Sequence, residues 1–441
     1  MKILCLAAAI AVLTIPPITA AAAPGLTVSV ASYGARGDGV TDDTGAFQRA
    51  LDAAASAGGG TVTIPAGTFR VISPPKGDRY YPYVLRLSSN VAVVGAGTAS
   101  VIRLDPVPPG QDTVWLLATC DARQSWCGRA TTNVRLENFT IDGSRTRQPA
   151  TRDGRESQHM HAIFLASASR VQIRRLTVRD IAGDGIYAYR ENSGIVVEQS
   201  TFQRIRRVAI NFAGTSQSIA RDNSIDGAQW ALKMELDGGA ERSVSGNEFR
   251  RNTARDVFGG ISITRSDEAR VAAAPARAAG ITIADNDFQI SSDRSDRIGI
   301  ILWGIDGVRV TGNTIGGNIL QGLTAYDDVT DLVIEGNTFA ASRGSPGPAA
   351  GAAACLRLGG RDASTADLRS VTIRGNTLTA CRVGIRLARP GRFQLANVTI
   401  TGNTFVENSV AGILVDSAAG IVNLSIGANT FRGTPNQVVR R

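Results

Sequence analysis

The sequence predicts an all-β solenoid, a coil of about ten or more short turns covered at its start by one α-helix. Three observations carry that expectation: a strand-and-corner phrase that recurs, a column of alternating side chains that recurs with it, and a helix-forming block ahead of both. The phrase reads VTGNTI from Val310, IEGNTF from Ile334, IRGNTL from Ile373 and ITGNTF from Ile400, with looser copies SGNEF, ADNDF and GANTF. Its asparagines, Asn223, Asn247, Asn286, Asn313, Asn337, Asn376, Asn403 and Asn429, are spaced 24, 39, 27, 24, 39, 27 and 26 residues apart. A unit of that length cannot bury its own apolar face, so consecutive turns must stack and share one interior. Asn tolerates the left-handed backbone of a tight corner, and stacked amides can bond in a ladder, so this column reads as structure and not as a site.

Taken in chain order, residues 1–23 hold one cation, Lys2, then an apolar run and small residues at 19–22. That is the pattern of a secretory signal peptide, too short for a stable membrane span, and it implies a secreted or periplasmic protein. Residues 24–441 are expected to form a single solenoid domain, with 24–70 as its cap region. Within the cap, Asp42 or Asp43 can accept backbone hydrogen bonds at a helix start, and helix formers fill 46–55. Gly58, Gly59 and Gly60 end the helix before a strand at 61–64, which places it at about 43–56. There it covers the open first turn, whose unpaired edge would invite aggregation. No later stretch is long and apolar enough to cross a membrane.

The cap residues SYGARGDGVTDDT, followed by an amphipathic helix and GGGTVTIPAG, resemble the entry block of the pectate-lyase-like superfamily of right-handed parallel β-helix proteins. SNVAVVGAG fits the same pattern, and the resemblance extends in architecture from Ser32 to the C-terminus. Polygalacturonases, glucanases, lyases and phage tailspikes resemble one another here, so the block speaks for fold more than chemistry. The superfamily also has an Asn ladder at one corner, which implies that the outward strand above it forms the substrate cleft.

Four cysteines follow the leader, and export permits disulfides between Cys120 and Cys127, which close a small loop, and between Cys355 and Cys381, about one turn apart. The formal charge is +9, carried almost wholly by arginine, for the only lysines are Lys2, Lys76 and Lys233. Without RNA-binding motifs or aromatic-basic clusters, the basic balance points to an acidic polysaccharide and not to nucleic acid. A monomer without a membrane span is expected. Insertions break the period at 143–158, 266–279 and 341–354, and the first contributes Arg145, Arg147, Arg152 and Arg155. Loops of that length beside one strand column would wall a cleft.

The second recurring column runs through HAIFLAS, DGIYAYR, VAINFAG, WALKMELD, GGISITR, IGIILWG, QGLTAYD, ACLRLGG, VGIRLAR and AGILVDS. Alternation sends Ile163, Ile186, Ile210, Leu232, Ile261, Ile300, Leu323, Leu356, Ile385 and Ile413 inward. The outward set is Phe164, Tyr187, Asn211, Lys233, Ser262, Ile301, Thr324, Arg357, Arg386 and Leu414, beside a second line through Tyr189, Glu235, Thr264, Trp303 and Tyr326. Aromatic rings stack on sugar C–H faces while polar groups bond hydroxyls, so Tyr189, Arg190, Asn211, Thr264, Trp303 and Tyr326 are expected to bind a glycan.

Lys233 is the residue on which chemistry is expected to turn, because a desolvated lysine can give up its proton and an arginine cannot. Uronate polysaccharides break by β-elimination when a base removes the proton next to the carboxylate and positive charge stabilises the intermediate. Lys233 would be the base, Arg265 or Arg190 the carboxylate clamp, and Glu235 with Asp237 a Ca2+ site, an outline similar to Ca2+-assisted lyases of the resembled superfamily. Arg265 falls one residue past the outward position. A second version pairs Tyr187 with His161, one of the only two histidines, the other being His159. The Asp-Pro-His motif of β-helical epimerases is absent, with IYAYR in its place. Hydrolysis would use Glu235, Asp237 and Asp184, but the polygalacturonase signatures are missing. The alternative of a different kind is a glycan-binding surface solenoid without turnover.

Overall fold

The computed structural model describes residues 25–74, 83–119, 130–150, 157–236, 244–265, 277–291, 297–342, 354–359, 367–388, 394–416 and 420–441. The expected signal, the Cys120–Cys127 pair, Arg152, Arg155, Asp237 and much of the three insertions lie outside the described residues. Among those described, no helix is long and apolar enough to cross a membrane.

The capping helix spans Thr44–Ser56 and buries Ala46, Phe47, Ala50, Leu51 and Ala54, a three-and-four spacing that forms one apolar face. Of the two candidate start residues, Asp42 accepts the Thr44 N–H at 3.0 Å. Asp43 is wholly buried and instead ties down the preceding loop, accepting the N–H groups of Arg36 at 2.7 Å and Gly37 at 3.1 Å. Phe47 meets Phe69 edge-on at 5.3 Å, which joins the cap to the first turns of the coil.

Beyond the cap the chain winds as a parallel β-helix, each strand paired with the strand one turn on. A representative turn consists of Ile305–Thr311, Thr314–Gly317 and Gln321–Ala325. The ten inward residues expected from alternation, Ile163 through Ile413, stack in unbroken register and are fully buried. Each such side chain contributes about 1.5–3 kcal/mol on burial, so this column and its counterparts supply most of the drive to coil. A second interior column explains the small residue that opens each outward strand. A Cβ at Gly322 would lie 2.6 Å from the ring of Phe339, and one at Gly384 would lie 2.4 Å from that of Phe405.

The asparagine ladder runs Asn223, Asn252, Asn286, Asn313, Asn337, Asn376, Asn403, Asn429, each amide nitrogen donating to the next amide oxygen at 2.9–3.1 Å. Asn247, expected in this column, is not in it: its oxygen accepts the Ser218 N–H and its nitrogen donates to the Thr215 carbonyl at another corner. The SGNEF copy is therefore a local mimic, and Asn252 five residues on holds the rung. The reason for asparagine also differs from the expectation. The left-handed residue is the one before it, Gly312, Gly336, Gly375 or Gly402, or in earlier turns Asp222, Arg251 or Asp285. Asparagine is needed for its amide, which satisfies backbone groups that the corner would otherwise leave unpaired inside the coil. Asn313, for instance, donates to the Ile283 and Thr311 carbonyls, and Asn337 Oδ1 accepts the Asn313 backbone N–H at 2.8 Å.

Cys355 and Cys381 form the expected disulfide between neighbouring turns, with Cα atoms 5.7 Å apart. Many arginines pair across turns on the outside: Arg174 with Glu137 at 2.9 Å, Arg221 with Glu198 at 2.6 Å, Arg374 with Glu335 at 2.8 Å. Opposite charges facing each other on adjacent parallel strands favour the register, though each exposed pair contributes only about 0–1 kcal/mol.

Replacing Asn337 by Ala removes the acceptor of the Asn313 N–H and the donor to the Val310 and Glu335 carbonyls, and chemical denaturation should show a loss of about 1–3 kcal/mol. The same change at Asn429, the half-exposed last rung, should cost under about 1 kcal/mol.

Candidate functional site

The outward column forms as expected: Phe164, Tyr187, Asn211, Lys233, Ser262, Ile301, Thr324, Arg357, Arg386 and Leu414 are Cα partners on successive turns. Beside it Glu235 is partnered with Thr264. Trp303 and Tyr326 follow their strands, with rings 5.6 Å apart. Arg265 pairs in register with Leu236, a buried inward position, so its backbone is off the outward line. Its side chain lies outside the described residues.

Exposure divides the strip. Tyr187 and Tyr189 are half-buried, belong to an aromatic patch with Trp115 and Phe164 that is separate from the main core, and sit 5.4 Å apart. The Arg190 guanidinium lies 5.0 Å over the Tyr189 ring, so this end combines ring faces with positive charge. Trp303 and Tyr326, by contrast, are only 6% and 8% exposed, and Asn211 is wholly buried. The more exposed aromatic platform is therefore the tyrosine end of the strip.

Below that platform lies a polar cluster that the sequence reading had only in fragments. Asp184 and His161 face each other across two turns at the corner that feeds the strip, and both are buried. The Asp184 backbone N–H donates to His161 Nδ1 at 3.0 Å. That bond makes Nδ1 an acceptor, so the neutral ring carries its proton on Nε2. Burial, with Arg207 and His159 nearby, pushes the imidazole well below its ordinary range. His161 is thus a fixed hydrogen-bond donor 4.9 Å from the Tyr187 ring and is poorly suited to be a base.

The Asp184 carboxylate accepts the Val208 N–H at 3.2 Å and the Asn211 amide at 3.3 Å, with Arg207 Nε 3.7 Å away. Burial outweighs those favourable partners and raises its carboxyl to about 6. Arg207 also holds the approach segment through the Gln158 carbonyl at 3.1 Å. Sequence reasoning passed over Arg207, one of several arginines in RIRR, and used Asp184 only as a hydrolytic carboxylate. The one available signal was an acid in the all-small corner GDG, where nothing on the surface asks for charge.

Lys233 pairs with Glu235 at 3.0 Å, and its side chain is 16% exposed. This engages the first of the two carboxylates expected to hold Ca2+, and the second, Asp237, is outside the described residues. Among the described residues no three His, Cys, Asp or Glu side chains gather closely enough to hold a metal ion.

Residues 27–258 match the family model described as rhamnogalacturonase A/epimerase, pectate lyase-like, and residues 274–431 match that of the right-handed β-helix region. The chain belongs to the rhamnogalacturonase A/epimerase, pectate-lyase-like family. The coil is accordingly a right-handed parallel β-helix. Mannuronan C5-epimerase AlgE1 of Azotobacter vinelandii is 31% identical over 223 residues, covering 50% of this chain and 14% of that protein. Alginate lyase 7 of the same organism is 30% identical over 227 residues, covering 50% of this chain and 22% of that protein. This chain thus spans under a quarter of the length of either relative. In solved structures, the A-module of A. vinelandii mannuronan C-5 epimerase AlgE6 shares the fold with a TM-score of 0.64 at 23% identity, over 93% of this chain and 95% of that one. The tailspike of E. coli bacteriophage HK620, solved with a pentasaccharide, gives 0.69 at 16% identity, over 91% and 72%.

Because the folded Asp184 carboxyl titrates above its unfolded value of 3.8, its protonated form stabilises the fold below about pH 4, and that contribution is lost as pH rises through about 6. Asp184→Asn should remove this slope. Denaturation at a series of pH values should show the variant gaining on the parent protein by about 3 kcal/mol between pH 4 and 7.

Proposed function

We propose that this chain is a polysaccharide-active enzyme that binds a uronate glycan along the outward strip and removes the proton beside a uronosyl carboxylate, cleaving the chain by β-elimination. The observation that carries the reading is the in-register succession Tyr187, Asn211, Lys233 over the buried His161–Asp184 pair. Strands about 4.8 Å apart put Tyr187 and Lys233 about 10 Å apart at their Cα atoms, within reach of one sugar ring from two sides of Asn211.

In this reading Tyr187, in its ionised form, takes the C5 proton. The Lys233 ammonium pairs with the carboxylate and stabilises the negative charge that moves onto it. As the C4–C5 double bond forms, the C4–oxygen bond breaks and the departing oxygen takes the proton from the Tyr187 hydroxyl. His161, neutral and fixed, holds the tyrosine from beneath. Lys233 thereby becomes the charge partner in place of the base expected from sequence, because it already sits in an ion pair with Glu235 at 3.0 Å. Arg190 and Tyr189 would bind the neighbouring sugar. No step is routed through Ca2+.

Epimerases and lyases of uronates share the first step, and several relatives are named mannuronan C5-epimerases. Elimination is favoured here because Tyr187, Asn211 and Lys233 all rise from one sheet face, whereas inversion at C5 needs a second proton-transfer group on the far side of the ring. The Cys355–Cys381 disulfide supports export, since such bonds persist in oxidising compartments.

A panel of mannuronan, pectate and glycosaminoglycans should yield unsaturated, ultraviolet-absorbing ends with at least one member. Tyr187→Phe should lower kcat on that substrate by about 100- to 10,000-fold. Lys233→Ala should lower kcat about 100-fold or more and raise KM. Inverted C5 centres in intact polymer would move the chain to the epimerase reading, and reducing ends without ultraviolet absorbance would sink both.

A further inference from the structure

The interior of this protein pairs its buried amides closely. Along the ladder, Asn313, Asn337 and Asn376 use both the oxygen and the nitrogen of the side chain. Among the described residues, Asn211 is the only asparagine with a buried side-chain atom that has no partner, and that atom is Oδ1. Leaving such an oxygen unpaired costs about 1–3 kcal/mol, so it calls for a physical reason.

Its orientation is not arbitrary. The amide nitrogen is committed to Asp184 Oδ2 at 3.3 Å, and Asp184 is itself held by the Val208 N–H and by Arg207. An ionised carboxylate accepts hydrogen bonds and donates none, so it selects the amide rotamer that turns nitrogen toward it. The oxygen then faces the other way, on an outward column position between Tyr187 and Lys233.

We propose that Asp184 is a positioning residue for the strip: its carboxylate holds the Asn211 amide nitrogen-inward, so that the amide oxygen is kept as the acceptor for a hydroxyl of the bound glycan. This rests on the reading of the strip as the glycan cleft. Asn211 is wholly buried, so glycan binding has to shift the side chains over this column position before a sugar hydroxyl completes the missing bond. Protonated Asp184 would carry an O–H donor, which an amide oxygen can accept. Asn211 would then be free to turn over and present nitrogen to the strip, and the acceptor would be lost.

Burial places this exchange at about pH 6. The other charged or titratable groups acting on Asp184 are Arg207, Lys233 and His161. His161 is held neutral well below that range, and His159 beside it is lowered by burial too. Acidification through pH 6 therefore removes the hold on Asn211, and glycan affinity falls as pH falls.

The test is calorimetric titration with a defined oligomannuronate between pH 5 and 8, using the full chain, Asp184→Asn and Asn211→Leu, each checked for a cooperative melt. The parent protein should bind about tenfold more weakly below pH 6 than above it. Asp184→Asn should bind at the weaker level throughout, with no step, because its neutral amide accepts either orientation of Asn211. Asn211→Leu should behave the same way and decides the matter alone if Asp184→Asn does not fold. A step that survives in either variant, or parental affinity at pH 8 in Asp184→Asn, overturns the proposal. Parental turnover on uronates without any step overturns it while leaving the proposed function standing. Absence of both binding and turnover across the polyuronate panel sinks the two together.

Discussion

Everything in this molecule depends on the vertical register of one turn on the next. Parallel backbone bonds set the spacing, but they would tolerate a slip that exchanged inward for outward residues. Two features oppose such a slip. The Ile and Leu column loses its burial if any strand shifts by one residue. The asparagine ladder cannot shift at all without breaking bonds on both sides of a rung, because each amide serves its own corner and the next turn's corner at once.

That rigid register brings together residues far apart in sequence. Tyr187, Asn211 and Lys233 lie 24 and 22 residues apart along the chain yet occupy adjacent turns. Their backing is of a different kind from the rest of the interior. At the corner before the strip, apolar stacking gives way to a histidine, an acid and an arginine, and the acid is held at a cost in desolvation that its partners only partly offset. A buried carboxylate raised toward neutrality beside a fixed imidazole is a common mark of a working site, whereas the Arg–Glu pairs on the outside are ordinary register-setting contacts.

Much of this was legible in the sequence where the physics is local and periodic. Alternation in DGIYAYR and WALKMELD assigns inward and outward residues correctly, because a strand has only two faces. The cap helix is readable from its glycine stop and apolar spacing. The ladder is readable in its regular turns but not at SGNEF, where the same three letters serve a different corner and only the neighbouring turns distinguish Asn247 from Asn252. Burial within the outward column is also invisible to alternation. Nothing in the letters says that Trp303 and Tyr326 are covered while Tyr187 is only half-buried, since that depends on what lies over the strip. The buried setting of Asp184 is hidden for a related reason: its partners come from two other turns.

The claim that this strip removes a proton from a uronate can be tested without knowing the final product. Polyuronate carrying tritium at C5 should release the label to water on incubation with the parent protein and not with Tyr187→Phe. That outcome is shared by elimination and by inversion and requires only that the C5–hydrogen bond is broken at this site. Binding, or chain cleavage, with the label fully retained on the sugar would contradict it.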